Sequence, residues 1–331
     1  MKEKTVLFCV LNWGLGHATR SLAMIQELEK NNCTMVIASD GLALDLLIKE
    51  LPGRKYYRLP SYNIRYTISP IVGTLLSLPA MAWAVWLEKR IVSKIVTQNK
   101  IDVIISDNRF GAFSRSCESQ LIIHQLNPFF YIRNQLISTV SKYLFACALN
   151  RFSTLLIPDD EKYDLCGEMT ANEFVRLPKR YIGILSRFSV SDRQPSPLSG
   201  SILVILSGPE PDRTRLEQFI FSELMQSESP ATIILGRKVA DNEVFDGLFT
   251  VKGVVGSAEL LSEIHRAGLI ISRSGYSSVM DYVSLNRHAL LIPTPGMPEQ
   301  EYLAERMSKR EGFSSISQLS GELCQFIKMR R

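Results

Sequence analysis

Apolar runs of strand length alternate with stretches of helical spacing along the whole chain. Thr5–Leu11 is an apolar run, and Ala18–Lys30 then puts Leu22, Ile25 and Leu28 on one side of a helix. Thr34–Ala38, Ile101–Ser106, Leu121–His124 and Thr154–Ile157 continue the series of short strands. Strands of this kind, separated by helices, predict a parallel sheet covered on both faces. The second half repeats the pattern. Ser201–Leu206 ends at Ser207-Gly208-Pro209 and leads into an acid-led helix from about Asp212; Ala231–Leu235, Phe249–Val251, Leu269–Ser272 and Ala289–Ile292 read as further strands.

The Ser- and Pro-rich stretch Arg187–Gly200 reads as a linker. The expected architecture is α/β: two Rossmann-like doubly wound domains, residues 1–180 and 181–315, facing a central cleft. A C-terminal helix over 316–331 is expected to pack back on the first domain. Ligands of such sheets sit at the carboxyl ends of the strands, so the cleft is the expected active site.

Ile68–Leu87 departs from the pattern, because it carries no charge and is flanked by Arg65 and Glu88-Lys89-Arg90. Its length would span a bilayer. Spanning would put the first strand and the later ones on opposite sides of a membrane, and the sheet could not form. Two readings remain: a buried connector with a helix from about Pro79, or a surface helix dipping Trp83, Trp86 and Leu87 into lipid beside Lys89, Arg90 and Lys94.

Composition narrows the class. With 46% hydrophobic and 21% charged residues over 331 positions, the chain can bury two cores, which excludes a disordered protein. The net charge of +5 is uneven: residues 1–150 hold 17 Lys and Arg against 10 Asp and Glu, the remainder 21 against 23. A basic first half suits an anionic substrate or an anionic membrane surface. No nucleic-acid-binding motif accompanies it. Six cysteines without a Cys-x-x-Cys pair, and four histidines without His-x-x-x-His spacing, predict neither a disulfide frame nor a metal site. They fit reduced thiols in the cytoplasm. The N-terminus reads as a first strand rather than a signal peptide.

Three loops carry candidate chemistry. Asn12-Trp13-Gly14-Leu15-Gly16-His17 follows the first strand and opens a helix, whose N-terminus offers N–H groups to an anion. As a dinucleotide fingerprint it is incomplete, so His17 at its mouth is the notable residue. Ser272-Arg273-Ser274-Gly275-Tyr276-Ser277-Ser278 builds a second such helix start, with Arg273 available for a charge-assisted contact to a diphosphate. Asp281 reads either as a carboxylate gripping ribose hydroxyls or as the end of a Ser278-x-x-Asp281 capping box. Pro293-Thr294-Pro295-Gly296 is a stiff loop leading to Glu299 and Gln300, which either contact sugar hydroxyls or simply open a helix.

The order strand, Ser-Arg-Ser-Gly, helix with an acid six residues past the glycine, strand, Pro-loop, Glu-Gln resembles the donor half of MurG-type glycosyltransferases. The resemblance implies the GT-B fold and transfer of N-acetylglucosamine from UDP to a lipid-linked acceptor. It implies that Asp281 grips the ribose, that Ser274, Gly275 and the following Tyr276 and Ser277 face the diphosphate, and that Glu299 and Gln300 face the sugar. Val254 falls where a backbone contact to uracil is expected, and Ser207-Gly208 takes the place of a richer glycine turn. Gly14, Gly16 and His17 resemble the family's Gly-Gly-His loop, in which the histidine faces the reacting sugar. Uncharacterised relatives of that family carry elements like Asp107-Asn108-Arg109 and His124 to Asn127, expected on the acceptor side; Asp107 and His124 are then rivals to His17 as the base.

The implied reaction is an inverting transfer in which a base, His17 first, takes the proton of an acceptor hydroxyl. No Asp-x-Asp occurs, so a metal-independent reaction with a UDP-sugar co-substrate and no cofactor is expected. A UDP-sugar hydrolase and a non-catalytic partner subunit are the alternatives on the same fold. Expected localisation is cytoplasmic, with peripheral attachment to the inner face of the plasma membrane.

Overall fold

A computed structural model describes residues 4–62, 70–132, 134–160, 164–194, 201–208, 210–237, 239, 243–245, 248–318 and 320–329, with residues 70–76 and 243–245 described by backbone alone. Arg65, Ile68, Pro209 and positions 195–200 of the linker lie outside the described residues. The chain forms two compact units, Met1–Arg187 and Phe188–Arg331.

The first unit runs β1 (Lys4–Val10), α1 (Leu15–Lys30), β2 (Cys33–Ser39), α2 (Gly41–Glu50), β3 (Lys55–Arg58) and α3 (Pro70–Asn99). It continues through β4 (Val103–Asp107), β5 (Glu118–Ile122), α4 (Gln135–Leu149), β6 (Thr154–Ile157) and β7 (Lys179–Tyr181). Its seven-stranded sheet has the order β3-β2-β1-β4-β5-β6-β7, every pair parallel. The last five residues of β1 and of β2 and all of β4 are buried, as strands with helices on both faces must be.

The second unit runs β8 (Ile202–Ile205), α5 (Asp212–Ser227), β9 (Ala231–Ile234), β10 (Glu243–Phe245), β11 (Phe249–Lys252) and α6 (Ser257–Arg266). It ends with β12 (Leu269–Ser272), α7 (Tyr276–Leu285), β13 (Ala289–Leu291), α8 (Pro298–Ser308), β14 (Phe313–Ser315) and α9 (Leu323–Met329). The order is β10-β11-β9-β8-β12-β13-β14, and β10 alone pairs antiparallel among these strands. In each sheet the winding reverses beside the first strand, between β1 and β4 and between β8 and β12. The carboxyl ends of those pairs are the switch points where ligands of such sheets bind.

Three expectations change. The helix after β1 starts at Leu15 rather than Ala18, which moves His17 into its first turn. The helix expected near Pro79 begins at Pro70 and carries Pro79 inside it; Pro70 suits a first helical position because its missing N–H would have no partner there. Ala84, Glu88, Val92, Ile95 and Val96 follow the helical period toward the core, while Leu78, Trp83 and Trp86 are exposed on the other side. α3 is thus a helix with one face in the core and the other exposed, rather than a wholly buried connector. Among the described residues no helix is long and apolar enough to cross a membrane.

The closing helix, expected against the first domain, is seated in its own. Leu323 and Ile327, one turn apart, join the core formed by β8, β9, β12 and α5, and the Cys324 N–H donates to Glu223 Oε2 at 2.9 Å. Burying that apolar pair is worth roughly 1.5–3 kcal/mol per side chain, enough to hold a helix too short to stand alone.

Candidate active site

At the β1/β4 switch point the chain leaves the sheet through Gly14, whose φ of 73° a residue with a Cβ adopts only under strain. His17 follows in the first turn of α1, with 11% of its side chain exposed. Its Nδ1 lies 2.9 Å from Oδ1 of Asp107, the last residue of β4. A carboxylate can only accept, so in the Nδ1–H tautomer the ring donates to Asp107 and a neutral Nε2 keeps its lone pair; Arg20 Nη2, a donor, lies 2.9 Å from the same Nδ1. Asp107 is wholly buried and also receives Arg20 Nε at 2.8 Å and Ser21 Oγ at 3.1 Å, with Arg20 Nη2 on its other oxygen.

Burial alone would raise the Asp107 carboxyl, but the Arg20 guanidinium and then His17 hold it well below the usual carboxylate range. His17 shifts the other way for a base. Burial and then Arg20 lower it, and Asp107 only partly offsets them. A neutral imidazole with an exposed edge is the arrangement a general base requires. Asp107, a rival base in the sequence reading, stands behind His17 with no exposed oxygen and acts on it rather than on a ligand. His124 follows β5 and is buried, and a positive charge placed on it would disfavour the His17 imidazolium.

Arg109, expected on the acceptor side, is instead fully buried. It donates to Asp40 Oδ1 at 2.6 Å, to Glu88 Oε1, and to the carbonyls of Val10 and Pro60. Glu88 in turn accepts Tyr62 Oη at 2.6 Å and the Gly111 N–H at 2.9 Å. A guanidinium in the interior needs paired carboxylates, and here it pins α3 to the carboxyl end of β1. Asn108 is half-buried in the left-handed region at φ 56°. Asn127 is buried, its N–H on Met169 O at 3.0 Å and its Oδ1 without a hydrogen-bond partner.

At the β8/β12 switch point, β12 runs through Arg273, Ser274 and Gly275 into α7, whose N-cap, Gly275, has no side chain with which to cap the helix. Gly275 is the N-cap, so Ser278 is the third helical residue and the Ser278-x-x-Asp281 spacing is no capping box. Asp281 falls in the second turn, 7% exposed, and Ser277 is half-buried. Tyr276 is buried in the first turn.

Arg273 does not reach out toward a diphosphate. It is 1% exposed and donates to the carbonyls of Ile292, Pro293 and Asp212 at 3.0–3.1 Å. Its Nε has no hydrogen-bond partner. Burial lowers it to about 10, against a small opposing pull from Asp212, so it stays charged at neutral pH. Its guanidinium is held against the residues that follow β13 and the first residue of α5.

Ser274 and Gln300 also serve the scaffold. Ser274 Oγ donates to Gln300 O at 2.7 Å, and Gln300 Oε1 accepts the Thr294 N–H at 2.9 Å, which ties the Pro-loop to the β12 turn. Both side chains are held by backbone groups. Glu299 is half-buried in the first turn of α8. Ser207 and Gly208 are exposed after β8, with Gly208 at φ 107° and open space where a Cβ would stand. Val254 is exposed after β11, available to a flat base.

Sequence reading missed Arg20, Ser21, Asp40 and Glu88. Arg20 had a legible signal, since it stands three residues after His17 on one helix face. Glu88 had none, because it closes an apolar stretch and its partners lie far away in sequence.

Comparison with known proteins agrees with this architecture. The chain is similar in structure to MurG of Acinetobacter baumannii, at 13% identity and a TM-score of 0.60, over 99% of this chain and 90% of that one. UGT89C1 of Arabidopsis thaliana, complexed with quercetin, gives 12% identity and a TM-score of 0.68 over 99% and 89%. CalG4, the calicheamicin glycosyltransferase, gives 14% and 0.64 over 99% and 89%. No curated protein matches in sequence. The fold is therefore GT-B, two Rossmann-like domains in one chain. Residues 231–318 match the Glycosyltransferase family 28 C-terminal domain, which places that match in the second unit.

Proposed function

We propose that this chain is an inverting, metal-independent glycosyltransferase that moves a GlcNAc-like sugar from UDP onto a hydroxyl of a lipid-linked acceptor. The observation that carries the donor side is the start of α7 at Gly275, two residues after the buried Arg273, whose guanidinium donates to backbone carbonyls. A diphosphate placed there meets backbone N–H groups and a fixed charge, which stabilises a leaving group as it gains charge and requires no metal or other cofactor. Asp281 then grips the ribose, Val254 meets the uracil, and Glu299 contacts the sugar. UGT89C1 has been solved with UDP-L-rhamnose, which supports a UDP-sugar donor.

On the acceptor side, His17 Nε2 takes the hydroxyl proton as the oxygen attacks the anomeric carbon and UDP departs from the opposite face. The lipid reading rests on two surfaces of the first domain. On α4, Leu136, Ile137, Val140, Tyr143 and Leu144 follow one helical face and are 49% to 74% exposed. On α3, Trp83 and Trp86 are exposed, with Arg90 stacked 4.2 Å from the Trp86 ring. From Leu51 to Leu87 and from Ser119 to Pro158 the chain has no Asp or Glu, so nothing in these segments repels an anionic membrane surface. Peripheral attachment on the cytoplasmic face follows.

A thermal-shift screen of nucleotides and UDP-sugars tests the donor assignment, since a ligand of the folded state raises apparent stability. Stabilisation by UDP and not by other nucleoside diphosphates is expected; no response to any nucleotide would refute the assignment. Rapid release of sugar from a UDP-sugar without acceptor would replace transfer by hydrolysis. Flotation with anionic vesicles tests the surface. Wild type should float and the Leu136→Ser, Leu144→Ser double variant should not; equal recovery with neutral vesicles would remove the charge argument.

A further inference from the structure

Arg20 has no place in the proton transfer just described, yet it is buried against both groups that the transfer uses. It stands one turn after His17 on α1. Its Nε is 2.8 Å from Asp107 Oδ2, its Nη2 bonds Asp107 Oδ1, and the same Nη2 lies 2.9 Å from His17 Nδ1. Three groups of one cluster thus share a single carboxylate charge.

Physical reasoning on the pair without Arg20 gives a different histidine. A buried carboxylate beside an imidazole is relieved by protonating that imidazole, because the ion pair replaces an isolated charge in a poorly solvated place. Such a histidine is an imidazolium at neutral pH and cannot accept a proton. Arg20 supplies the cation that the carboxylate requires, in a bidentate fork that a guanidinium fits. Once it does so, a second positive charge on His17 meets a guanidinium within 2.9 Å.

We propose that Arg20 is a positioning residue which neutralises Asp107 and so keeps His17 uncharged, with Nδ1–H on the carboxylate and Nε2 ready to take the acceptor's proton. The titratable groups facing His17 are Arg20 on α1, Asp107 on β4 and His124 after β5; the first and third oppose its protonation and the second favours it. The start of α1, with its positive dipole end, opposes it as well. The consequence for turnover rests on the transferase reading, but the state of His17 does not.

The test reads His17 directly. Long-range nitrogen-15 spectra of the histidine-labelled full chain, with the His17 signal assigned by its loss in His17→Gln, report charge and tautomer together. Wild type should be neutral with the proton on Nδ1 from pH 6 to 8. Arg20→Met should show a charged His17 at pH 7, and Arg20→Lys should restore the neutral ring. Arg20→Gln serves where Arg20→Met fails to fold, since it keeps a donor and removes the charge. A neutral His17 in the uncharged variants overturns the proposal.

With the UDP-sugar found in the screen and a lipid-linked hydroxyl acceptor that it glycosylates, kcat/KM of Arg20→Met should be about tenfold low at pH 6 and within about twofold of wild type at pH 9. A merely structural defect would not recover with alkali. A charged His17 with an unmoved pH profile would uphold the hold of Arg20 on the ring and overturn His17 as the base, so the two failures are told apart.

Discussion

The two domains share one winding and put opposite chemistry at the same place. At the β1/β4 switch point the carboxyl ends are filled with side chains that cancel one another: Asp107 against Arg20 and His17, and close by Arg109 against Asp40 and Glu88. At the β8/β12 switch point the Arg273 guanidinium is buried and donates to backbone carbonyls. One site is a balanced, nearly neutral device able to hold or release a proton. The other holds a buried guanidinium on carbonyls next to a helix start, the arrangement on which the proposed diphosphate site rests. Topology sets where a ligand sits, and the local charge balance decides whether that place handles a proton or a phosphate.

This contrast can be broken from either side, and the largest effect belongs to the balanced site. Arg109→Met strands Asp40 and Glu88 in the interior and should cost about 3–5 kcal/mol in urea unfolding. Arg273→Met removes a charge that no carboxylate pairs with, and its stability should stay within about 1 kcal/mol of wild type. Equal losses for the two would erase the distinction.

Next in size is His17→Ala, expected to lower turnover about a hundredfold or more while UDP affinity is unchanged. A tighter or weaker UDP complex in that variant would mean that the first site also holds the nucleotide. Arg273→Met should then weaken UDP about tenfold without moving the pH profile of turnover. Retained UDP affinity would leave the helix start acting without its buried cation.

The smallest effect is a pH dependence of stability. Because His17 binds protons less readily folded than unfolded, the unfolded chain charges first and stability falls as pH drops below about 6.5. Asp107 contributes in the same direction at lower pH, since its depressed carboxyl stabilises the fold above about pH 4 and that contribution fades as acid protonates it. Urea midpoints of wild type and His17→Gln compared at pH 7.5 and 5.5 should differ in slope. Parallel losses would assign the upper limb to another group.

Much of the architecture was legible before any coordinates. Thr154–Ile157 and Leu269–Ser272 end where the sequence pattern ends, because a buried parallel strand is an unbroken apolar run bounded by polar turns. The strands that escaped notice are β3, β7, β10 and β14, with sequences such as Lys-Tyr-Tyr-Arg and Lys-Arg-Tyr. They lie at or near sheet edges, where one neighbour suffices and water replaces the second layer, so no apolar run marks them. Similarly the loops bearing His17, Gly275 and Glu299 could be found as breaks after strands, whereas the duties of Ser274, Gln300 and Arg109 could not. The partners of Ser274 and Arg109, Gln300 O and Glu88, lie more than 20 residues away, and Gln300 accepts the Thr294 N–H across its loop, so spacing carries no signal except, weakly, in that loop.

Sequence alone determined the two-sheet plan, the loops where chemistry concentrates and the basic, acid-poor first half, because these depend on local periodicity and on composition. Tertiary structure decided which charges are spent and which are still available. That is a question of distance and burial: Asp107 looks like a base until Arg20 and His17 are found against it, and Arg273 looks like a phosphate ligand until its donors are seen on carbonyls. Charges interact through space and desolvation, and neither is written along the chain.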